Sequence, residues 1–348
     1  MDRVNIVTLQ GRWNYGNRLQ NYATSKIYES LGFETKSLIL KDTRRRIKAT
    51  IKRLCGLSHN DPERLMSSDR QAAFNRFDEL MDFETVSSPD YIGDDDAWYS
   101  VGSDQVWSTA YTPRLDRWYF LSAVPRERRI ALAPSIGLDS LEVSQMERLA
   151  KGVSGFEFLS VREKRGAEII REASGRSAEV VCDPTIALPQ EEWRRVADDR
   201  LAPTQEYVFT YILGNGGVGK ASVLPRVTDG GGIPVVHLSD HEQPGEPPAG
   251  PAEFISLIAN ARHVVTDSYH AAVFAVIFQT PLTIMKRSGG LSMFSRLESL
   301  AQTLGIEQKV YGSPGFDLNF AGDYEGVSDA IVYERAKFMA YLEACLNA

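Results

Sequence analysis

Runs rich in β-branched residues alternate along this chain with segments in which apolar residues recur every three or four positions. Residues 4–9 predict a strand, and residues 18–31 a helix with Leu19, Tyr22, Ala23, Ile27 and Leu31 on one stripe. Further strands are predicted at 37–40, 98–101, 130–133, 157–161 and 179–182, with helical patterns at 141–150 and 164–173. Strand–helix alternation with short connections is the signature of an α/β doubly wound sheet.

The pattern then restarts. Strands are predicted at 207–213, 234–238, 263–267 and 282–285, and helices at 251–261 and 268–278. The polar stretch 188–204 reads as the junction, and 240–250, with three prolines and two glycines, as a surface excursion. Residues 328–346 carry Ile331, Phe338, Tyr341, Leu342 and Cys345 at helical spacing and predict an amphipathic helix docked on a core. The resulting plan is a Rossmann-like domain over residues 1–190, a second over 205–322, and a C-terminal helix over 323–348 that packs back on both. Two such units in series place ligands at the carboxyl ends of strands, in the cleft between the domains.

A length of 348 residues suits two domains of ordinary size. The longest purely apolar run, 271–278, is too short to span a bilayer, and the N-terminal residues carry no signal-peptide pattern. The expectation is a soluble, cytoplasmic chain. Lys and Arg number 39 against 46 Asp and Glu, a formal charge of -7 that disfavours general nucleic-acid binding. An anionic ligand must therefore meet a local basic pocket. The three cysteines, Cys55, Cys182 and Cys345, lie far apart with no CxxC pair, so a disulfide framework and structural zinc are both disfavoured and no metal site is expected. A basic stretch at 41–53 (Lys41, Arg44, Arg45, Arg46, Lys48, Lys52, Arg53) reads as a solvated segment or as a peripheral contact with the inner face of an anionic membrane. The cluster Asp94-Asp95-Asp96 reads as a turn.

Several motifs carry candidate chemistry. Residues 214–220 have the G-x4-G-K skeleton of a phosphate-cradling loop, but Ala221 stands where a magnesium-ligating hydroxyl is needed, and the NTPase reading is rejected. A loop over the cleft remains. Gly102-Ser103-Asp104-Gln105 follows a predicted strand; Asp104 is either a local cap or a reacting carboxylate. Arg162 ends another strand and either forks onto an anionic ligand or pairs with Glu163 or Asp183. The opening loop Asn14-Tyr15-Gly16-Asn17-Arg18-Leu19-Gln20 runs into a helix whose first N–H groups suit an anion. His270 sits in the first turn of a helix capped by Ser268, where the helix dipole disfavours imidazolium and a bound dianion would restore it. The alternative is a histidine hydrogen-bonded for structure. Lys286 and Arg287 follow the next strand as a cationic rim at the same edge.

As an ordered set these motifs resemble the polysaccharide pyruvyl transferase family. The stretches that carry the resemblance are 14–23 (Asn-Tyr-Gly-Asn-Arg-Leu-Gln-Asn-Tyr-Ala), 101–107 (Val-Gly-Ser-Asp-Gln-Val-Trp), 131–137, Ser160-Val161-Arg162-Glu163, Cys182-Asp183-Pro184-Thr185 and Thr266-Asp267-Ser268-Tyr269-His270-Ala271. The resemblance implies two Rossmann-like domains in a GT-B-like arrangement, with Asp104 and Arg162 on an acceptor-side domain and His270 on a donor-side domain. It implies phosphoenolpyruvate as co-substrate, no cofactor, and a glycoside, oligosaccharide or lipid-linked saccharide as acceptor. The product would be a pyruvate ketal in bacterial surface polysaccharide biosynthesis. The family's donor-binding arginine maps onto Arg162, its histidine onto His270, and a following basic residue onto Lys286 or Arg287. Asp104 takes an acid–base position. Asn17, Arg18, Gln20, Gln105 and Ser268 are further candidates for substrate binding. Many members carry Arg-Leu before the histidine where this chain has Ser268-Tyr269, which removes one cation.

Two other readings share the fold: a GT-B glycosyltransferase using a nucleotide sugar, and a non-catalytic glycan-binding member.

Overall fold

The computed structural model describes residues 2–11, 13–41, 66–90, 96–108, 115–214, 217–286 and 294–347. The first half contains strands β1 (Arg3–Val7), β2 (Glu34–Leu40), β3 (Phe83–Val86), β4 (Trp98–Val101), β5 (Arg129–Ala131), β6 (Ser160–Val161) and β7 (Glu179–Val180). The second contains β8 (Val208–Tyr211), β9 (Val235–Leu238), β10 (His263–Thr266) and β11 (Leu282–Ile284). The helices are α1 (Tyr15–Ser30), α2 (Ser68–Asp78), α3 (Asp116–Tyr119), α4 (Val143–Val153), α5 (Lys164–Ser174), α6 (Pro184–Ala187), α7 (Gln190–Val196), α8 (Gly217–Val227), α9 (Pro251–Ala259), α10 (Tyr269–Ile277), α11 (Ser295–Leu304) and α12 (Val327–Leu346).

The first sheet has strand order β3-β2-β1-β4-β5 and the second β11-β10-β8-β9, with β6 and β7 forming a parallel pair of their own. Every described strand pair is parallel. Both orders reverse direction from a central first strand, the mark of doubly wound Rossmann-like units. Ser160 knits the small pair to the first sheet: its hydroxyl donates to Ala131 O at 2.6 Å and accepts from Ala133 N at 2.9 Å.

Alternation along the strands divides the core. Val4 and Ile6 of β1 pack with Leu19, Tyr22, Ala23 and Ile27 of α1, while Val7 turns to the opposite face with Leu149, Val153, Ile169 and Ile170 of α4 and α5. In β10, Val264 joins the first cluster and Val265 packs with Val208, Val223 and Met285 on the far side. The first cluster is continuous across both halves. α1, α9, α10 and α12 carry it from one sheet to the other, and the two sheets share one interior.

Several elements depart from the sequence reading. The stretch 188–204 holds α7, because Trp193 is fully buried, edge-on to Phe274 at 4.8 Å and donating its indole N–H to Thr185 O at 3.0 Å. The 240–250 loop is docked rather than free. Glu242 accepts from Ser67 N and Oγ at 2.6 and 2.7 Å, and Glu246 pairs with the buried Arg70 at 3.3 Å. In α12, Ile331, Phe338, Tyr341, Leu342 and Cys345 are buried as the spacing predicts, and the Tyr341 hydroxyl donates to Ala131 O at 2.8 Å. Cys182 and Cys345 are buried free thiols. Cys55, Asp94, Asp95, and the 41–53 stretch beyond Lys41 lie outside the described residues. No helix among the described residues is long and apolar enough to cross a membrane.

Candidate functional site

The carboxyl ends of both sheets converge on one buried cluster. From the first half come the turn after β4, with Ser103 and Asp104, Arg162 after β6, and Asp183 just beyond β7. From the second half comes the β10–α10 junction with Ser268, Tyr269 and His270. Each arrival has a local cause. Gly102 takes φ +119°, and a methyl there would lie 2.0 Å from Leu132 O, so only glycine lets the chain turn there. Asp104 follows at φ 66°, a left-handed conformation that aspartate tolerates better than most residues. Asp183 caps α6, its Oδ1 accepting from Thr185 N at 3.0 Å and from Thr185 Oγ1 at 2.6 Å. Ser268 caps α10 by accepting from Ala271 N at 3.5 Å.

Asp183 is the hub. Its Oδ2 accepts from Arg162 Nη1 at 2.6 Å and from Ser103 Oγ at 2.7 Å, and lies 3.9 Å from His270 Nε2. Burial pushes its carboxyl pKa up, but Arg162 foremost, with His270 when charged and the Thr185 hydrogen bonds, brings it down to about 2. Burial likewise works against the charge on Arg162. Asp183, then Tyr269, Asp104 and Glu163, outweigh it and hold the guanidinium above its ordinary value. Arg162 stacks on the Tyr269 ring, 4.3 Å from Cζ to centroid. Its Nη2 stands 3.7 Å from Asp104 Oδ1, and neither Nη2 nor Nε has a hydrogen-bond partner.

His270 is buried at 8% exposure, its Nδ1 pressed against the first turn of α1, where a methyl on Gly16 would lie 2.1 Å from that atom. Burial lowers the imidazole pKa; Asp183 and Asp104 oppose this, while Arg162 and Arg296 reinforce it. Burial thus favours the neutral imidazole, and Nε2 has no hydrogen bond. An anion arriving beside Arg162 would weaken that cation's repulsion of imidazolium and add attraction, raising the His270 pKa.

The predicted residues divide into three groups. Asn17 joins the cluster directly, donating Nδ2 to Asp104 Oδ2 while its Oδ1 accepts from Gly11 N at 3.0 Å. Gln20 is fully buried and supports the turn, donating to Thr8 Oγ1 at 2.8 Å and accepting from Ser103 N at 3.0 Å. Gln105 packs against Gly137, which leaves no room there for a side chain. Arg18 faces elsewhere: its Nε meets Asp78 at 2.6 Å and its Nη1 donates to Gly11 O at 2.8 Å, an α1–α2 staple. Lys286 is exposed with its ammonium 5.1 Å from the Phe294 ring centroid, and Arg287 lies outside the described residues. Among the described residues the cation in the cluster is therefore Arg162 and not Lys286, with Arg296 of α11 nearby. Leu213 N and Gly214 N of the glycine-rich loop donate to Asp267 at 2.7 and 2.8 Å, so these leading amides serve a carboxylate of the chain itself.

Sequence reasoning named Asp183 as one of two partners for Arg162 and within a stretch that carries the resemblance, but gave it no role at the site. Its position after a strand and before Pro184, a helix-starting residue, was the available signal. It read Tyr269 as a lost cation, whereas the ring is the platform under Arg162. Arg296 carried no signal, since its helix is not among those predicted.

A profile of the family described as Polysaccharide pyruvyl transferase matches residues 14–288. No curated protein matches the chain. Among solved structures, a UDP-N-acetylglucosamine 2-epimerase from Rickettsia bellii is 10% identical, covers 99% of this chain and 96% of that one, and has a TM-score of 0.48. The glycotransferase of kitacinnamycin is 11% identical, covers 99% and 98%, and has a TM-score of 0.44. Likenesses this distant assign nothing to the site. The family match spans every residue of the buried cluster, from Asn17 through Asp104, Arg162 and Asp183 to His270, and the chain belongs to the polysaccharide pyruvyl transferase family.

Proposed function

We propose that the chain transfers the pyruvate unit of phosphoenolpyruvate to two hydroxyls of a saccharide, forming a cyclic ketal and releasing phosphate. The observation that carries this reading is the pairing of Arg162 and His270 where the two carboxyl edges meet. A buried guanidinium with an unoccupied Nη2 stands beside a buried imidazole with an unoccupied Nε2. Such a pair receives an anion and then gains the proton that the reaction needs.

The steps balance with these groups. His270, charged once the donor is bound, delivers a proton to the vinyl carbon, and the positive charge forms at C2. One acceptor hydroxyl attacks C2, its proton going to Asp104. The C2–O bond to phosphate breaks, the second hydroxyl closes the ring, and the protons of the diol end on the new methyl group and on phosphate. Asp183 keeps Arg162 oriented and stabilises imidazolium. Asn17 holds Asp104 from the α1 side. The acceptor is a glycoside or a lipid-linked saccharide of a surface polysaccharide, and the enzyme acts in the cytoplasm.

The test is release of inorganic phosphate from phosphoenolpyruvate, with and without saccharide acceptors. Acceptor-dependent release is expected. Binding of nucleoside diphosphate with no phosphoenolpyruvate turnover would replace this reading with a nucleotide-sugar transferase, and glycan binding with neither would leave a binding protein.

A further inference from the structure

Beside Arg162 a cleft opens between β7, α11 and α12. The space in and in front of it is about 370 Å³, open solvent included. Its walls are largely apolar, with Cys182, Ile186, Leu300 and the Tyr269 ring among them, and it is bordered by Arg296, by Glu334 and by two adjacent charged groups, Arg162 and Glu163.

The two groups are incompletely satisfied. Glu163 is 2% exposed, and its Oε1 already accepts three hydrogen bonds, from Ser135 Oγ at 2.8 Å, Ile136 N at 2.9 Å and Gly137 N at 3.1 Å. Its Oε2 accepts none, and neither does Arg162 Nε donate one. These two atoms lie 4.0 Å apart, too far for a hydrogen bond. A buried donor and acceptor left so are costly unless a third group joins them. An oxygen about 2.8 Å from each would subtend roughly 90° between them, within reach of a hydroxyl that accepts from Nε–H and donates to Oε2.

We infer that this cleft is a subsite for an alcohol arm of the saccharide acceptor, with its oxygen bridging Arg162 Nε and Glu163 Oε2 and its carbon against the apolar wall. Apolar walls with a few polar groups at one end are the usual make-up of a small-molecule site. A hydroxymethyl group is the smallest alcohol arm of a hexopyranoside. A guanidinium that grips the donor through Nη2 then holds an acceptor hydroxyl through Nε, so one side chain sets the spacing of both substrates. The identity of the arm as an acceptor's rests on the function proposed above.

The experiment compares binding of methyl hexopyranosides (glucoside, galactoside, mannoside) with their 6-deoxy counterparts, by saturation-transfer NMR and calorimetry on the full chain. At least one hexoside is expected to bind with its C6 protons most strongly saturated, and its 6-deoxy form about 10-fold to 100-fold more weakly, the range for a hydrogen bond to a charged group. Glu163→Gln keeps an oxygen for the three donors at Oε1 and replaces Oε2 with an NH2. It should weaken the hexoside to the level of the 6-deoxy form and leave the 6-deoxy form unchanged. Thr303→Phe, at a half-buried position on the cleft wall, should weaken both forms by filling space. Equal binding of hexoside and 6-deoxy form, no binding by any hexoside, or indifference to both variants would overturn the inference, as would a crystal structure with saccharide bound elsewhere and a water at the bridge. Phosphoenolpyruvate binding, measured separately, reports on the broader reading: its absence alongside 6-hydroxyl-dependent hexoside binding would refute the donor and leave the subsite standing.

Discussion

Two seams join the halves of this molecule, and they are built on opposite principles. At one, rings interlock: Tyr15 stacks on Phe254 at 4.4 Å and meets Tyr211 edge-on at 5.5 Å, and its hydroxyl donates to Ala249 O at 2.8 Å. Burial pushes that phenol's pKa far above its ordinary value, so it stays neutral. At the other seam, around Asp183, charges are packed together and Arg162 Nε and Nη2, Glu163 Oε2 and His270 Nε2 lack hydrogen bonds. The first seam has both its phenol hydroxyls hydrogen-bonded and holds the halves in register. The second keeps unsatisfied groups buried, which costs stability and is retained where a ligand can complete them.

The comparison can be broken at either seam, and the expected effects descend as follows. His270→Ala should lower turnover at saturating donor by about 10²–10⁴-fold with thermal stability nearly unchanged; near-normal turnover would remove its role as acid. Phe254→Ala should cost about 3–5 kcal/mol in chemical denaturation, because a fully buried ring is lost from the interlocked seam. A loss below about 1 kcal/mol would show that the seam is slack.

A third prediction concerns His263, which is buried on β10 and bonded to Thr283 Oγ1 at 2.9 Å. Burial first, then Lys309 and Arg262, brings its pKa down from 6.5 to about 4. The folded state therefore binds a proton less readily than the unfolded chain. This contribution is complete above pH 6.5 and fades as the pH falls toward 4, by about 3 kcal/mol in total. Urea unfolding of the wild type and of His263→Gln at pH 7 and pH 4.5 isolates it, and the variant should lose less stability over that interval. Next, Arg162→Lys should raise the apparent Michaelis constant for phosphoenolpyruvate about 10-fold to 100-fold, since an ammonium cannot fork between Asp183 and a ligand; a change confined to the acceptor would refute the donor clamp. Smallest, Tyr15→Phe should cost about 1 kcal/mol for the lost bond to Ala249 and leave kinetics unaltered.

The legibility of the chain follows the same division. β4 was readable residue for residue, because both faces of Trp98–Val101 are apolar or small and a glycine ends it. β3 was not: Phe83–Val86 is an edge strand with a mixed burial pattern, and its identity comes from pairing with β2. α7 was masked by polar neighbours around one decisive tryptophan. At the site, Arg162, Asp104 and His270 stood out because each ends a strand or starts a helix. The choice of Asp183 over Glu163 as the close partner of Arg162 was not legible, since it depends on where β6 and β7 lie side by side. Lys286 and Arg18 were further binding candidates in the sequence; the fold turned one to solvent and the other to Asp78.

The central claim is that an anion at Arg162 charges its neighbouring imidazole. With five histidines in the chain, nitrogen-15 NMR of histidine-labelled protein resolves the question at pH 7. His270 should be neutral in the free protein and become imidazolium on saturation with phosphoenolpyruvate, and should stay neutral in Arg162→Lys at the same donor concentration. An imidazole already charged without ligand, or one that remains neutral at full occupancy in the wild type, would contradict the account.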